Sequence, residues 1–250
     1  MKYIKGVHRH GSETFTIISK DKKNSNLNKI YKSASTINGI KSIISEFNGI
    51  TWYNERNQNN VVYELKKYSD YYYKIMINLN KHFYNINSNM KYLMLEKYLD
   101  LTISHYAHIW HDYKGHEFAP LHGDLSLVGN VMFNYNDEVL FVDWEHFQKD
   151  KNIPIGLDII MILLENIWYE TRRSNRIDSS VLRHFVNSLN SLNNLKLLSP
   201  LFLDNPAYNS VNFIQSNIDI WNGQHNKLPI LRLSKKDIFE IDNAVSQLNN

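Results

Sequence analysis

The sequence predicts an α+β protein with a small, strand-rich N-terminal lobe that carries one main helix, and a larger, mostly helical C-terminal lobe. Three observations predict this class: short period-two apolar runs before residue 80, one amphipathic segment among them, and long helical patterns after residue 80. The 250 residues, 43% of them hydrophobic, suffice for two lobes. We place the lobes at residues 1–79 and 80–250.

The N-terminal lobe reads as an antiparallel sheet with one helix. TFTIIS (14–19) alternates with period two, and KIYK (29–32) continues the extended pattern. The segment 61–79 contains two aromatic, β-rich runs broken at Ser69-Asp70, which predicts a hairpin. Thr36 is suited to cap a helix, and the apolar residues that follow it recur at intervals of three and four and predict one buried face: Ile37, Ile40, Ile43, Ile44, Phe47 and Ile50.

The C-terminal lobe reads as helices around one hairpin. Residues 89–113 contain neither Pro nor Gly and are helix-patterned, so they should form the main buried helix. Further helices are predicted near 154–170, 178–195 and 209–222. A last helix should start at Ser234, which with Asp237 has the spacing of a capping box.

Composition excludes several classes of protein. The chain has 28 basic and 25 acidic residues, so its formal charge of +3 gives no reason to expect nucleic-acid binding. It has no cysteine, which excludes disulfides and thiolate metal sites. The most apolar stretch, 153–168, is interrupted by Asp158 and Glu165 and is shorter than the roughly 20 residues that span a bilayer. We therefore expect a cytoplasmic protein without a transmembrane segment.

The segment 120–147, PLHGDLSLVGNVMFNYNDEVLFVDWEHF, carries the candidate chemistry. VMF and EVLFV are short apolar strands around the turn signal NYND, and they should pair as a hairpin. Pairing would bring Asn130, before the first strand, within roughly 5 Å of Asp143, after the second. An amide oxygen beside a carboxylate suits Mg²⁺. Asp124 could deprotonate an attacking hydroxyl while the metal neutralises a transferred phosphoryl group.

These residues resemble a known family. His122-Gly123-Asp124, Asn130 and Asp143-Trp144-Glu145 are similar to the catalytic and metal-binding segments of the aminoglycoside phosphotransferase and choline kinase group, relatives of protein kinases. The resemblance implies a protein-kinase-like fold, with ATP and Mg²⁺ as cofactors. It also implies that Asp124 is the catalytic base, that Asn130 and Asp143 bind Mg²⁺, and that His122 braces the catalytic loop.

The same resemblance assigns residues outside that segment. Asp158 looks like the family's aspartate that steadies the catalytic segment. Lys32 looks like the strand lysine that contacts the α and β phosphates, with Lys29 as the alternative. Glu46 looks like its ion-pair partner, with Glu55 as the alternative. Gly11 ends the basic turn GVHRHG, which could cover phosphates with backbone N–H groups.

Two differences from related kinases have consequences. The base and the metal-binding Asn stand six apart here instead of five, and Gly129 is expected to absorb the extra residue as a bulge with positive φ. Protein kinases place Arg where this chain has Gly123, and only twelve positions separate Glu145 from Leu157, too few for a long activation segment. A compact acceptor is therefore expected instead of a protein.

The sequence indicates the acceptor less clearly than it indicates the catalytic residues. Aromatic residues of the C-terminal lobe could form a cage for a cation: Trp168, Tyr169, Tyr208 and Trp221. Arg172, Arg173 and Arg176 could instead bind a phosphate or an acidic sugar. The function expected is ATP-dependent phosphorylation of a hydroxyl on a small molecule, with a preference for a sugar of a bacterial surface glycan or its precursor. Peripheral membrane contact is expected only for a glycolipid acceptor. The alternatives are an aminoglycoside or choline/ethanolamine kinase, and a catalytically weak nucleotide-binding pseudokinase.

Overall fold

The computed structural model describes residues 2–7, 14–20, 28–57, 61–70, 72–79, 83–86, 92–149, 152–174, 176–217 and 232–247. The chain is α+β, with an antiparallel sheet in its N-terminal part and a mostly helical remainder. It divides into two compact units. The first comprises Met1–Tyr84 and Phe133–Phe147, and the second comprises Asn85–Met132 and Gln148–Asn250.

The first unit contains the antiparallel sheet. Its five strands run in the order β1-β2-β3-β5-β4. The predicted hairpin of 61–79 is confirmed as β4 and β5, which turn at Ser69 and Asp70. The strand bounds are β1 Lys2–Val7, β2 Thr14–Lys20, β3 Asn28–Ala34, β4 Val61–Ser69 and β5 Tyr72–Leu79.

Helix α1, Ile37–Asn54, packs against this sheet. The predicted cap is confirmed, because Gly39 N–H donates to Thr36 Oγ1 at 3.1 Å. The predicted apolar face is narrower than expected: Ile43 is fully buried, whereas Ile37 is 66% and Ile44 37% exposed. At 100° per residue, Ile37 and Ile44 fall at one edge of the stripe, and the stripe is buried on its other side, where Ile50 is 3% exposed.

The predicted hairpin after residue 130 is confirmed as β6, Val131–Phe133, and β7, Val139–Phe141, which form a separate two-stranded sheet. The Asn134 side chain closes its turn by accepting the N–H groups of Asn136 and Glu138 at 2.9 and 3.0 Å.

The second unit is mostly helical. The predicted main helix is α2, Tyr92–Ile109, followed by a short 3₁₀ turn, His111–Tyr113. The capping box at Ser234 is confirmed. The predicted helix at 209–222 begins earlier, at Pro206, and ends at Ser216, with residues 218–222 outside the described part. None of the described helices is long and apolar enough to cross a membrane. The later helices are α3 Leu157–Ser174, α4 Ser179–Asn194, α5 Pro200–Leu203, α6 Pro206–Ser216 and α7 Lys235–Ser246.

Candidate active site

A buried lysine in the first unit faces three carboxylates, and we call these four residues the Lys32 cluster. Lys32 lies on β3 and is 8% exposed. Its Nζ lies 3.0 Å from Glu46 Oε1 on α1 and 4.0 Å from Glu145 Oε2. It also donates a hydrogen bond to the Asp143 carboxylate. One ammonium group is therefore shared among acids that come from a helix and from the segment after β7.

The cluster shifts the pKa of two of its members. Burial alone would lower the pKa of the Lys32 ammonium, but Asp143, Glu46 and Glu145 together raise it above its ordinary value. Burial raises the pKa of Glu46 to about 7, against the opposing effect of Lys32. Lys32 therefore stays charged at any physiological pH, whereas Glu46 can take up a proton near neutrality.

The segment after β7, which carries Asp143 and Glu145 of the cluster, packs directly on α1. A Cβ placed on Gly49 would lie 2.7 Å from Trp144 Cβ and 2.8 Å from Phe147 Cβ, so no larger residue fits there. Ser45 donates its hydroxyl to the Phe147 carbonyl at 2.6 Å. Asp143 adopts φ +68°, a left-handed conformation uncommon for a residue with a side chain. Backbone strain at such a residue is typical of functional sites.

The second unit holds the proposed base in the 122–131 loop. The Asn130 amide donates to the Asp124 carbonyl at 2.6 Å and to Asp124 Oδ2 at 3.1 Å. His122 is fully buried, and its Nδ1 accepts the Asp124 N–H at 3.4 Å. The loop thus brings Asp124 and Asn130 together and leaves the amide oxygen of Asn130 for another partner.

Asp158, at the start of α3, anchors the beginning of this loop. Its Oδ2 accepts the His122 N–H at 2.8 Å and its Oδ1 accepts the Gly123 N–H at 3.1 Å. Burial raises the pKa of Asp158 to about 7, against the opposing effect of these two bonds. Gly123 has φ +87°, which favours glycine at the position where protein kinases carry Arg.

The loop accommodates its extra residue without the predicted bulge at Gly129. Among the described glycines only Gly115, Gly123 and Gly156 have positive φ, so the expected left-handed bulge at Gly129 is wrong. Instead, the Ser126 carbonyl accepts three successive N–H groups, those of Gly129, Asn130 and Val131, at 3.3, 2.9 and 3.0 Å. A hydrogen-bonded turn closed by this carbonyl takes up the residue, and no left-handed glycine is needed at position 129.

Glu165 is a positioning residue that we did not predict from the sequence. Its carboxylate accepts the Ser126 hydroxyl at 2.8 and 2.9 Å and the Leu127 N–H at 3.3 Å. Burial raises its pKa to about 7. The sequence does contain a signal for this role, because Glu165 interrupts the apolar stretch 153–168. An acid that is buried in such a stretch must have polar partners.

The other predicted site residues have mixed outcomes. Gly11 and the side chain of Lys29 lie outside the described part of the chain. Glu55, the alternative to Glu46, is exposed and lies 3.5 Å from Arg56. Asn130 and Asp143 belong to different units, so their convergence on one ion stays a prediction.

A scan against models of known protein families finds no match, and a search of the curated proteins finds none either. The resemblance to the aminoglycoside phosphotransferase and choline kinase group therefore depends on the residues described above.

Proposed function

We propose that this protein is an ATP-dependent phosphotransferase with a protein-kinase-like fold, similar to the aminoglycoside phosphotransferase and choline kinase group. It transfers the γ-phosphoryl group of ATP to a hydroxyl of a small molecule, and a sugar is the favoured acceptor. The observation that carries the proposal is the Lys32 cluster. A strand lysine paired with a helix glutamate, beside an aspartate that follows a hairpin, is the arrangement that kinases require to hold phosphates.

The charges of the Lys32 cluster fit a metal-bound nucleotide. One ammonium faces three carboxylates, so the cluster carries excess negative charge when the acids are ionised. A divalent cation would offset that charge, and carboxylate oxygens are the ligands that Mg²⁺ prefers. Asp143, with Asn130 from the 122–131 loop, would hold Mg²⁺, which when bound screens the negative charge of the transferred group. Lys32 would then bind the α and β phosphates.

Asp124 is assigned as the base because of its place in the loop. Asn130 donates to its carboxylate at 3.1 Å and His122 accepts its backbone N–H, so both its side chain and its backbone have partners within the loop. It would accept the proton of the acceptor hydroxyl as that oxygen attacks the γ-phosphorus, while ADP leaves with the bridging oxygen.

The same loop favours a small acceptor. Arg in place of Gly123 would have to adopt φ +87°, which is costly for a residue with a side chain. The loop therefore lacks the arginine with which protein kinases bind a phosphorylated activation segment. A site that forms without such a segment fits a compact acceptor.

The decisive experiment measures ADP release by the full chain with Mg²⁺ and ATP against sugars, sugar phosphates, amino alcohols and aminoglycosides. We expect one class to stimulate release. Asp124→Asn should lower the stimulated rate by about 10²- to 10⁴-fold, the usual contribution of a general base. Asp137→Asn is the control, because it makes the same substitution at an exposed residue of the turn between β6 and β7.

Two results would count against the proposal. Stimulated turnover that survives Asp124→Asn would remove Asp124 as the base. Absence of any release, together with unchanged thermal stability on addition of Mg-ATP, would favour a non-catalytic protein instead.

A further inference from the structure

Two arginines of the second unit lie over one tryptophan ring. The Cζ atom of Arg172 lies 5.1 Å from the centroid of the Trp168 ring, and that of Arg232 lies 5.2 Å from it. The two guanidinium carbons can therefore be no more than about 10 Å apart, close enough for their charges to repel at low ionic strength. Such a pair is stabilised when an anion binds between or beside its members.

The two cations are exposed and lack a carboxylate partner in the described part of the chain. No Asp or Glu oxygen of that part lies within 4.0 Å of the guanidinium nitrogens of Arg172 or Arg232. Their neighbour Arg173 differs, because its Nη1 lies 3.8 Å from Glu170 Oε2. Arg172 and Arg232 are therefore available to a ligand in a way that Arg173 is not.

Both arginines are held by well-packed elements. Trp168 is 9% exposed and gives a fixed surface on which guanidinium groups can stack. Arg232 immediately precedes the buried Leu233 and the capping box of α7 at Ser234, which fix the course of the backbone. Burial, together with Glu165, raises the pKa of the Tyr169 phenol, and Arg232 and Arg172 act against this rise, so the phenol also lies near the pair.

The same face of α3 connects this pair to the 122–131 loop. Glu165, Trp168, Tyr169 and Arg172 are spaced at intervals of three and four and so share one side of the helix. Glu165 holds Ser126 in that loop. Seven residues separate Glu165 from Arg172, which corresponds to about 10 Å along the helix axis. This distance is comparable to the span of a phosphorylated sugar.

We infer that Arg172 and Arg232, which lie over the Trp168 ring, bind an anionic group of the acceptor, so that the substrate is a hydroxyl compound bearing a phosphate or a carboxylate. That the bound anion belongs to an acceptor rests on the proposed function. That the two arginines bind an anion does not. It disfavours a choline-type cage at Trp168, because two cations already contact that ring.

The test is calorimetric titration of the full chain with inorganic phosphate, and separately with glucuronate, at constant ionic strength. We expect at least one anion to bind with a dissociation constant of about 1–10 mM and the double variant Arg172→Gln/Arg232→Gln to weaken binding about tenfold or more. Arg173→Gln should leave the constant within about twofold, because Arg173 already has a carboxylate partner. Binding of phosphate alone would assign a phosphorylated acceptor, and binding of glucuronate alone an acidic one.

Titration of the same variants with Mg-ATP separates the two proposals. Anion binding lost in the double variant with Mg-ATP affinity unchanged supports the acceptor site. If wild type binds the anion through these arginines but never binds Mg-ATP, the anion site stands and the phosphotransferase proposal fails. The inference is overturned if neither anion binds, if the double variant binds as wild type does, or if Mg-ATP displaces the anion.

Discussion

The Lys32 cluster and the 122–131 loop use carboxylates in opposite ways. In the cluster, Glu46 and Asp143 contact a buried ammonium group, so each of these acids has a cation as its partner. In the loop, Asp158 and Glu165 accept backbone N–H and hydroxyl groups and contact no cation there. The first arrangement controls electrostatic potential, and the second controls the position of the backbone.

This difference matches the task proposed for each region. A lysine that binds phosphates must keep its charge, which the surrounding acids ensure by raising its pKa. A base must be aimed at one atom, which requires a loop whose backbone groups are fixed before substrate arrives. Substitutions should therefore separate the two regions by the kind of damage they cause.

The largest expected effect is in the Lys32 cluster. Lys32→Met removes the cation and leaves Glu46 buried, and Asp143 half-buried, without it, so the free energy of unfolding should fall by about 3–5 kcal/mol. Urea denaturation at pH 7 measures the change. Lys41→Met on the exposed side of α1 is the control and should cost less than about 0.5 kcal/mol. Equal costs for both variants would mean that the cluster does not carry the buried charge we describe.

The next effect tests how closely the segment after β7 is seated on α1. Gly49→Ala places a Cβ 2.7 Å from Trp144 Cβ and should cost about 1–3 kcal/mol through overpacking. Gly129→Ala is the matched control in the loop, because its Cβ would meet only Ser126 atoms at 3.5 and 3.6 Å, an ordinary contact. Thermal denaturation of the two variants should differ clearly, and a tolerated alanine at position 49 would contradict the close approach.

A smaller, pH-dependent effect characterises the loop. The pKa of Asp158 is about 7 in the folded protein and near its ordinary 3.8 when unfolded, so the folded state binds a proton more tightly. Its contribution to stability is complete at low pH and is lost as pH rises through 7. The loss in free energy of unfolding caused by Asp158→Asn should therefore shrink by on the order of 1 kcal/mol per pH unit as the pH is raised from about 4.5 to 6.5.

Asp178 provides a control of opposite sign for that measurement. Its hydrogen bonds with Ser180 lower its pKa, so its contribution is present above the ordinary value of 3.8 and is lost as pH falls. Asp178→Asn should consequently become less costly on acidification, whereas Asp158→Asn becomes more costly. Urea denaturation at several pH values measures the free energy of unfolding of both variants. If the two costs change with pH in the same direction, burial does not raise the pKa of Asp158.

The sequence predicted the elements better than it predicted the connections between them. The hairpins, the Thr36 cap and the Ser234 capping box depend on local residue order, and all are confirmed. The supports of the 122–131 loop depend on residues distant in sequence, such as Glu165 for Ser126, and no local pattern identifies the partner. Gly129 was assigned from its conformational freedom, but the Ser126 carbonyl could satisfy the turn without it.

Calorimetric titration of the full chain with ATP, with and without Mg²⁺, tests the proposed Mg-ATP site in wild type, Asp143→Asn and the exposed-turn control Asp137→Asn. Asparagine tolerates positive φ, so both substitutions are compatible with the backbone conformation, and each replaces a carboxylate by a neutral amide. We predict that Mg²⁺ strengthens ATP binding in wild type and Asp137→Asn but has little effect in Asp143→Asn. An equal response to Mg²⁺ in all three proteins, or no ATP binding by wild type, would contradict the account.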